Sequence, residues 1–131
     1  MRILIVDDTH IMRLIVRDIL VKSLKIDKND CIEVDNGRTA ISLYKEEKAD
    51  MVFLDINLPD ISGLEVVKEL KKLDSEAKIV MCTSSGDKDD VRECVTAGAD
   101  DYLVKPVKPE RVISAVKKVM GNNFGNTDDD S

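Results

Sequence analysis

The chain has no tryptophan, only two tyrosines and two phenylalanines, and just three prolines in 131 residues, so its core must be built from aliphatic side chains. His10 is the single histidine, which excludes any chemistry that needs a pair of imidazoles; a solitary imidazole reads as a helix-surface residue. Cys31, Cys82 and Cys94 are odd in number and form no CxxC pair. They indicate neither a disulfide framework nor a thiolate metal site and read as small apolar residues. Long apolar runs are lacking, and no basic N-terminal region precedes one, so neither a membrane span nor a signal peptide is expected and the cytoplasm is the default compartment. An excess of base is missing too: 20 Lys and Arg stand against 26 Asp and Glu, a net charge of −6. With no basic stripe, nucleic-acid binding is not expected.

What is present fits one domain, with 43% hydrophobic and 35% charged residues. Five β-rich runs, Ile3–Val6, Cys31–Val34, Met51–Leu54, Ile79–Cys82 and Tyr102–Val104, alternate with five segments of helical periodicity. The apolar faces of those segments are read as Leu14, Ile15 and Ile19; Ala40, Ile41 and Tyr44; Leu64, Val67 and Leu70; Val91, Cys94 and Val95; and Val112, Ile113, Val116 and Val119. Such alternation predicts right-handed crossovers and an α/β domain with a parallel sheet covered on both faces. ILIV, MVFL and IVMC are continuously apolar and belong inside the sheet. The second run carries Glu33 and the fifth is short and flanked by Asp101 and Lys105, so these two are the edges. The domain is expected over residues 1–121, and the polar stretch Asn122–Ser131, with Asp128, Asp129 and Asp130, as a disordered acidic tail.

In an open parallel sheet the ligand site lies beyond the carboxyl ends of the strands, where the strand order reverses. Strand 1 runs into Asp7-Asp8, strand 3 into Asp55, strand 4 into Thr83-Ser84-Ser85 and strand 5 into Lys105-Pro106. Three carboxylates at the edge of an apolar core repel one another unless a cation sits among them, and a hard divalent ion such as Mg²⁺ is the natural resident. Its open coordination positions would accept a phosphoryl group, with Lys105 facing a second phosphoryl oxygen and the Thr83 hydroxyl a third. The remaining carboxylate can then act as nucleophile and form an aspartyl phosphate.

Taken singly, each residue has a plainer reading. Asp8 or Thr9 could cap the first helix, Thr83 could satisfy a strand end, Lys105 could be a solvated edge residue, and Tyr102 an ordinary half-buried strand aromatic. Asp55 has little capping use, because Pro59 and Gly63 intervene before the next helix.

ILIVDD, FLDINLPDISGLE, a strand ending in Cys82-Thr83, and GADDYLVKP at Gly98–Pro106 resemble the receiver domain of two-component response regulators, from Met1 to about Met120. The resemblance implies a flavodoxin-like (βα)5 fold with strand order 2-1-3-4-5. It also implies a phosphoacceptor at Asp55 and a Mg²⁺ site formed by Asp7, Asp8, Asp55 and the carbonyl of Asn57. Catalytic help would come from Lys105 and Thr83, and a switch pair from Thr83 and Tyr102. Lys105-Pro106 resembles the family's cis peptide. DDTHIMR and MCTSSGDKDDV look most like single-domain chemotaxis regulators of the CheY type. Ser84 departs from the family's usual Ala or Gly, Ser62 from Asp or Asn, and Val107 from Phe, which bears on phosphoryl lifetime, as do Asn57 and Ser85.

The partners so implied are a sensor histidine kinase and a downstream target such as the flagellar motor switch, met by a monomer that turns over no external substrate. The alternative is a phosphorelay intermediate that passes the group to a histidine phosphotransfer protein. A docking domain that is never phosphorylated would not need the full set of pocket residues. A phosphatase with an aspartyl intermediate would need DxDx[TV] at the first strand, and DDTHI does not match.

Overall fold

In a computed structural model that describes residues 1–84 and 88–121, the five apolar runs become strands β1 (Ile3–Val6), β2 (Cys31–Val34), β3 (Met51–Asp55), β4 (Ile79–Thr83) and β5 (Asp101–Val104). Between and after them lie helices α1 (His10–Leu24), α2 (Gly37–Glu47), α3 (Gly63–Leu73), α4 (Lys88–Ala97) and α5 (Pro109–Met120). The expected tail at residues 122–131, and Ser85, lie outside the described residues. All pairings are parallel and the order is β2-β1-β3-β4-β5, with β2 and β5 at the edges as their mixed composition predicts. This is the flavodoxin-like, doubly wound arrangement.

Successive strand residues face opposite sides, so each strand feeds two cores. Ile3, Ile5, Phe53, Val80 and Leu103 pack under α1 and α5, while Leu4, Val6, Val52, Leu54 and Met81 pack under α2, α3 and α4. Every residue of β1, β3 and β4 is buried, which is why the runs Ile3–Val6, Met51–Leu54 and Ile79–Cys82 are continuously apolar.

The strands differ at their tips from the apolar runs: β3 extends through Asp55, β4 through Thr83, and β5 begins at Asp101. Backbone pairing decides this, because Asp55 registers with Cys82, Thr83 with Val104 and Asp101 with Val80 whatever their polarity. The helix faces also need correction. In α1 the buried residues are Val16, Ile19 and Leu20, whereas Ile15 is 38% exposed and Leu14 only partly buried. Leu64, Val91 and Ile113 are partly buried, Val95 is exposed, and Val66 and Ala115 are fully covered instead. Helical periodicity fixes the width of an apolar stripe, but the docking rotation is set by which rows fit the sheet below.

Candidate functional site

Asp7 follows β1 and Asp55 ends β3, on adjacent strands, and both are 5% exposed; Asp8 stands beside them at the surface. One carboxylate oxygen from each of the three lies within 4.8 Å of the others. Local chain geometry sets this up. The Thr9 amide donates to Asp7 Oδ1 at 2.8 Å, turning the chain into α1. Thr9 is the N-cap of α1 but makes no side-chain cap bond, and the Asp8 carboxylate accepts the Thr9 hydroxyl at 3.4 Å. Thr9 thus holds the N-cap position, as the plain reading expects, with its carbonyl accepting the Arg13 amide at 3.2 Å, but it caps through the backbone only, and Asp8 is not the cap.

Lys105 reaches over from the end of β5. Its Nζ lies 2.9 Å from Asp7 Oδ2 and 3.3 Å from Asp55 Oδ2, and the Lys105–Pro106 peptide is cis. Lys105 is thus no solvated edge residue: its side chain is 21% exposed. Asp55 Oδ1 accepts from the Asn57 amide at 3.3 Å, so the loop carrying Asn57 folds back on the strand tip. Thr83 is buried at the end of β4, its hydroxyl donating to the Ser84 carbonyl at 3.1 Å. Tyr102, paired in register with Met81, turns its side chain outward and is 42% exposed. An open cavity of about 350 Å³ has Thr83, Tyr102, Lys88 and Arg92 in its wall.

The electrostatics of these groups suit a cation among them. Burial raises the Asp55 carboxyl above the ordinary carboxylate range, and the Asp7 charge raises it further against the pull of Lys105. Burial works against the Lys105 ammonium, but its hydrogen bond to Asp7 and the two nearby carboxylates outweigh that and raise it. One ammonium does not balance three acids. The donors are hard oxygens, two from buried and one from exposed carboxylates, which suits Mg²⁺ with retained waters and does not suit a soft metal. The cysteines are not competing ligands: all three are buried and free, and burial pushes the thiols up to about 11 in Cys31 and Cys94 and about 12 in Cys82.

Two supports escaped the sequence reading. Arg13 donates from Nη1 to the Asp7 carbonyl at 2.7 Å and from Nε to Glu33 Oε1 at 3.1 Å, while Arg17 reaches Glu33 Oε2 at 2.9 Å. A glutamate in an apolar strand, with two arginines four residues apart on the preceding helix, was the available signal. Asp60 accepts from the amides of Gly37 and Arg38 on α2, a link across 23 residues that no local pattern announces.

The sequence profile of the response regulator receiver domain matches residues 3–117. Among proteins of known name, the chain is 40% identical over 119 residues to the chemotaxis protein CheY of Bacillus subtilis, covering 91% of this chain and 97% of that protein. It is 42% identical to CheY of Thermotoga maritima, covering 90% and 96%. Among solved structures, CheY in a CheX–CheY–BeF3–Mg²⁺ complex from Borrelia burgdorferi superposes with a TM-score of 0.80 at 26% identity, covering 91% of this chain and 88% of that one.

Proposed function

Because the chain belongs to the response regulator receiver domain family and is of the CheY type, we propose that it accepts a phosphoryl group from a sensor histidine kinase onto Asp55 and thereby changes the face it offers a target. One observation carries this reading: the buried Asp55 carboxylate lies within 4.8 Å of Asp7 and Asp8 and is held by Lys105 at 3.3 Å.

Asp7, Asp8, Asp55 and the Asn57 carbonyl would hold Mg²⁺, which when bound neutralises charge on the phosphoryl oxygens and leaves Asp55 ionised. An Asp55 oxygen attacks phosphorus as the P–N bond to the kinase imidazole breaks, and the imidazole leaves with that electron pair. Lys105 turns from the carboxylates toward a phosphoryl oxygen, and Thr83 donates its hydroxyl to another. Moving Thr83 toward the phosphoryl group empties space behind it, and Tyr102 turns in from the rim of the shared cavity. The altered face comprises β5 with α4 and α5.

The protein catalyses its own phosphorylation and dephosphorylation and turns over no other substrate. The chemotaxis proteins among its relatives support a role in chemotaxis. A flagellar motor target, met by a monomer in the cytoplasm, is part of this proposal. Among the described residues no helix is long and apolar enough to cross a membrane. A partner like CheX, which accompanies the Borrelia relative, would recognise the phosphorylated form. Acetyl phosphate with Mg²⁺ tests the proposal by intact mass: a gain of one phosphoryl group in the wild type and none in Asp55→Asn is expected. A gain that survives Asp55→Asn, or tighter target binding without phosphorylation, would overturn it.

A further inference from the structure

The loop that leaves Asp55 and carries Asn57 runs from Ile56 to Ser62, and its position decides where the Asn57 carbonyl stands. It is pinned at both ends. On the α3 side the Gly63 amide donates to the Ile56 carbonyl at 2.7 Å, and a Cβ on Gly63 would lie 2.4 Å from the Asp55 carbonyl oxygen, so the helix start sits directly against the strand tip. On the α2 side the pin is Asp60. Its Oδ1 accepts from the Gly37 amide at 2.8 Å and from its own neighbour Ile61 at 2.8 Å, and its Oδ2 accepts from Arg38 at 2.9 Å.

The first turn of a helix has four amides without intrahelical partners. In α2, Asn36 provides an ordinary cap: its side chain takes the Thr39 amide at 2.8 Å and its carbonyl takes Ala40 at 3.3 Å. Gly37 and Arg38 would ordinarily be left to water, and they go instead to a carboxylate from another loop. Helix and loop touch closely, since a Cβ on Gly37 would meet Ile61 Cγ1 at 2.6 Å. Partial burial works against the charge on Asp60, but the amides of Arg38, Gly37 and Ile61 hold its carboxyl down at about 2, so it is an anion under all ordinary conditions.

We infer that Asp60 is a positioning residue for the metal and phosphoryl site: by capping α2 from a distance it fixes the loop that presents Asn57 beside Asp55. It touches neither ion nor phosphoryl group. Its effect passes through the backbone between Asn57 and Asp60, and it rests on the proposed function in that Asn57 is taken as a ligand.

The test compares Asp60→Ala, Asp60→Asn and Asn36→Ala in the whole chain. Asn36→Ala removes the local cap of the same helix without touching the loop, so it reports what helix capping alone does. Calorimetric titration with Mg²⁺ should give a dissociation constant about tenfold weaker for Asp60→Ala, the low end for groups that orient a ligand from outside its coordination shell. Asn36→Ala should stay within about twofold of wild type while lowering the thermal midpoint. Asp60→Asn should fall between them, because its Oδ1 keeps Gly37 and Ile61 while its amide faces the Arg38 donor. It also stands in should Asp60→Ala fail to fold. Without metal, hydrogen exchange at Asn57, Leu58 and Ile61 should quicken in Asp60→Ala and not in Asn36→Ala.

Equal Mg²⁺ affinity in wild type and both Asp60 variants, or equal weakening by Asn36→Ala, would overturn the inference while leaving the proposed function intact. A wild type that binds no Mg²⁺ would refute both, even if the exchange differences remained.

Discussion

At the scale of single residues, the site is a charge problem only partly solved by the protein. Asp55 has its carboxyl raised by burial and by Asp7, so its ionised form is less favourable in the folded chain than in the unfolded one. A raised carboxyl adds stability that is complete below the ordinary aspartate value and is lost as pH rises through the raised one. The metal-free thermal midpoint should therefore fall as pH rises above the usual carboxylate range, and Asp55→Asn should flatten that part of the profile. Asp60 has the opposite sign: its contribution is present above an aspartate's ordinary 3.8 and disappears on acidification toward about 2. Lys105→Met leaves Asp7 and Asp55 facing each other without their ammonium, and urea unfolding at neutral pH should show a loss of roughly 2 kcal/mol, between exposed and fully buried ion pairs. The same variant should lose less on acidification, because the raised Asp55 carboxyl takes up a proton more readily than an ordinary aspartate and the repulsion from Asp7 is relieved.

At the scale of elements, the strands supply reach and the helix starts supply precision. Phe53 sits in β3 at 1% exposure beneath α1 and α5, and Phe53→Ala should cost about 3–5 kcal/mol by chemical denaturation. Gly63→Ala should do something more specific. Its Cβ would collide with the backbone of Asp55 and Ile56, and backbone cannot swing aside as a side chain can. A modest stability loss, about 1–3 kcal/mol, should accompany a much slower acetyl phosphate reaction, read by intact mass over time. Ser62, where the family more often has Asp or Asn, is explained at this scale: its hydroxyl accepts the Glu65 amide at 3.1 Å and caps α3, a task Ser performs as well as either. The existence of all ten elements was readable because apolar runs and helical stripes are local signals. The α1 face was misread because Leu14, Ile15 and Ile19 and the observed Val16, Ile19 and Leu20 are adjacent stripes of one sequence, and only contact with the sheet chooses between them.

At the scale of the whole molecule, metal binding as proposed would be coupled to folding. An ion held by Asp7, Asp8 and Asp55 would bind only the folded chain, since Asp55 ends β3, Asp7 and Asp8 follow β1, and the pairing of those strands brings the three acids together. Mg²⁺ at a hundredfold excess over its dissociation constant should add about 2.7 kcal/mol to stability by calorimetric melting, and Asp55→Asn should lose most of that gain. The two cores, one on each face of the sheet, leave the carboxyl edge free for chemistry. The outward Tyr102 and the cavity it shares with Thr83 leave a route from the site to the surface of β5.

The order of strands and helices, the two edge strands and the polar residues at the strand tips follow from the sequence alone, because each depends on neighbours within a few positions. Distance was decided by the tertiary structure. That Lys105 spans to both Asp7 and Asp55, that Arg13 ties the Asp7 carbonyl to Glu33, and that Asp60 caps a helix 23 residues earlier are facts of register and packing. Side chains so far apart along a chain meet only when the strands between them have paired, and residue type carries no record of which partner will be there.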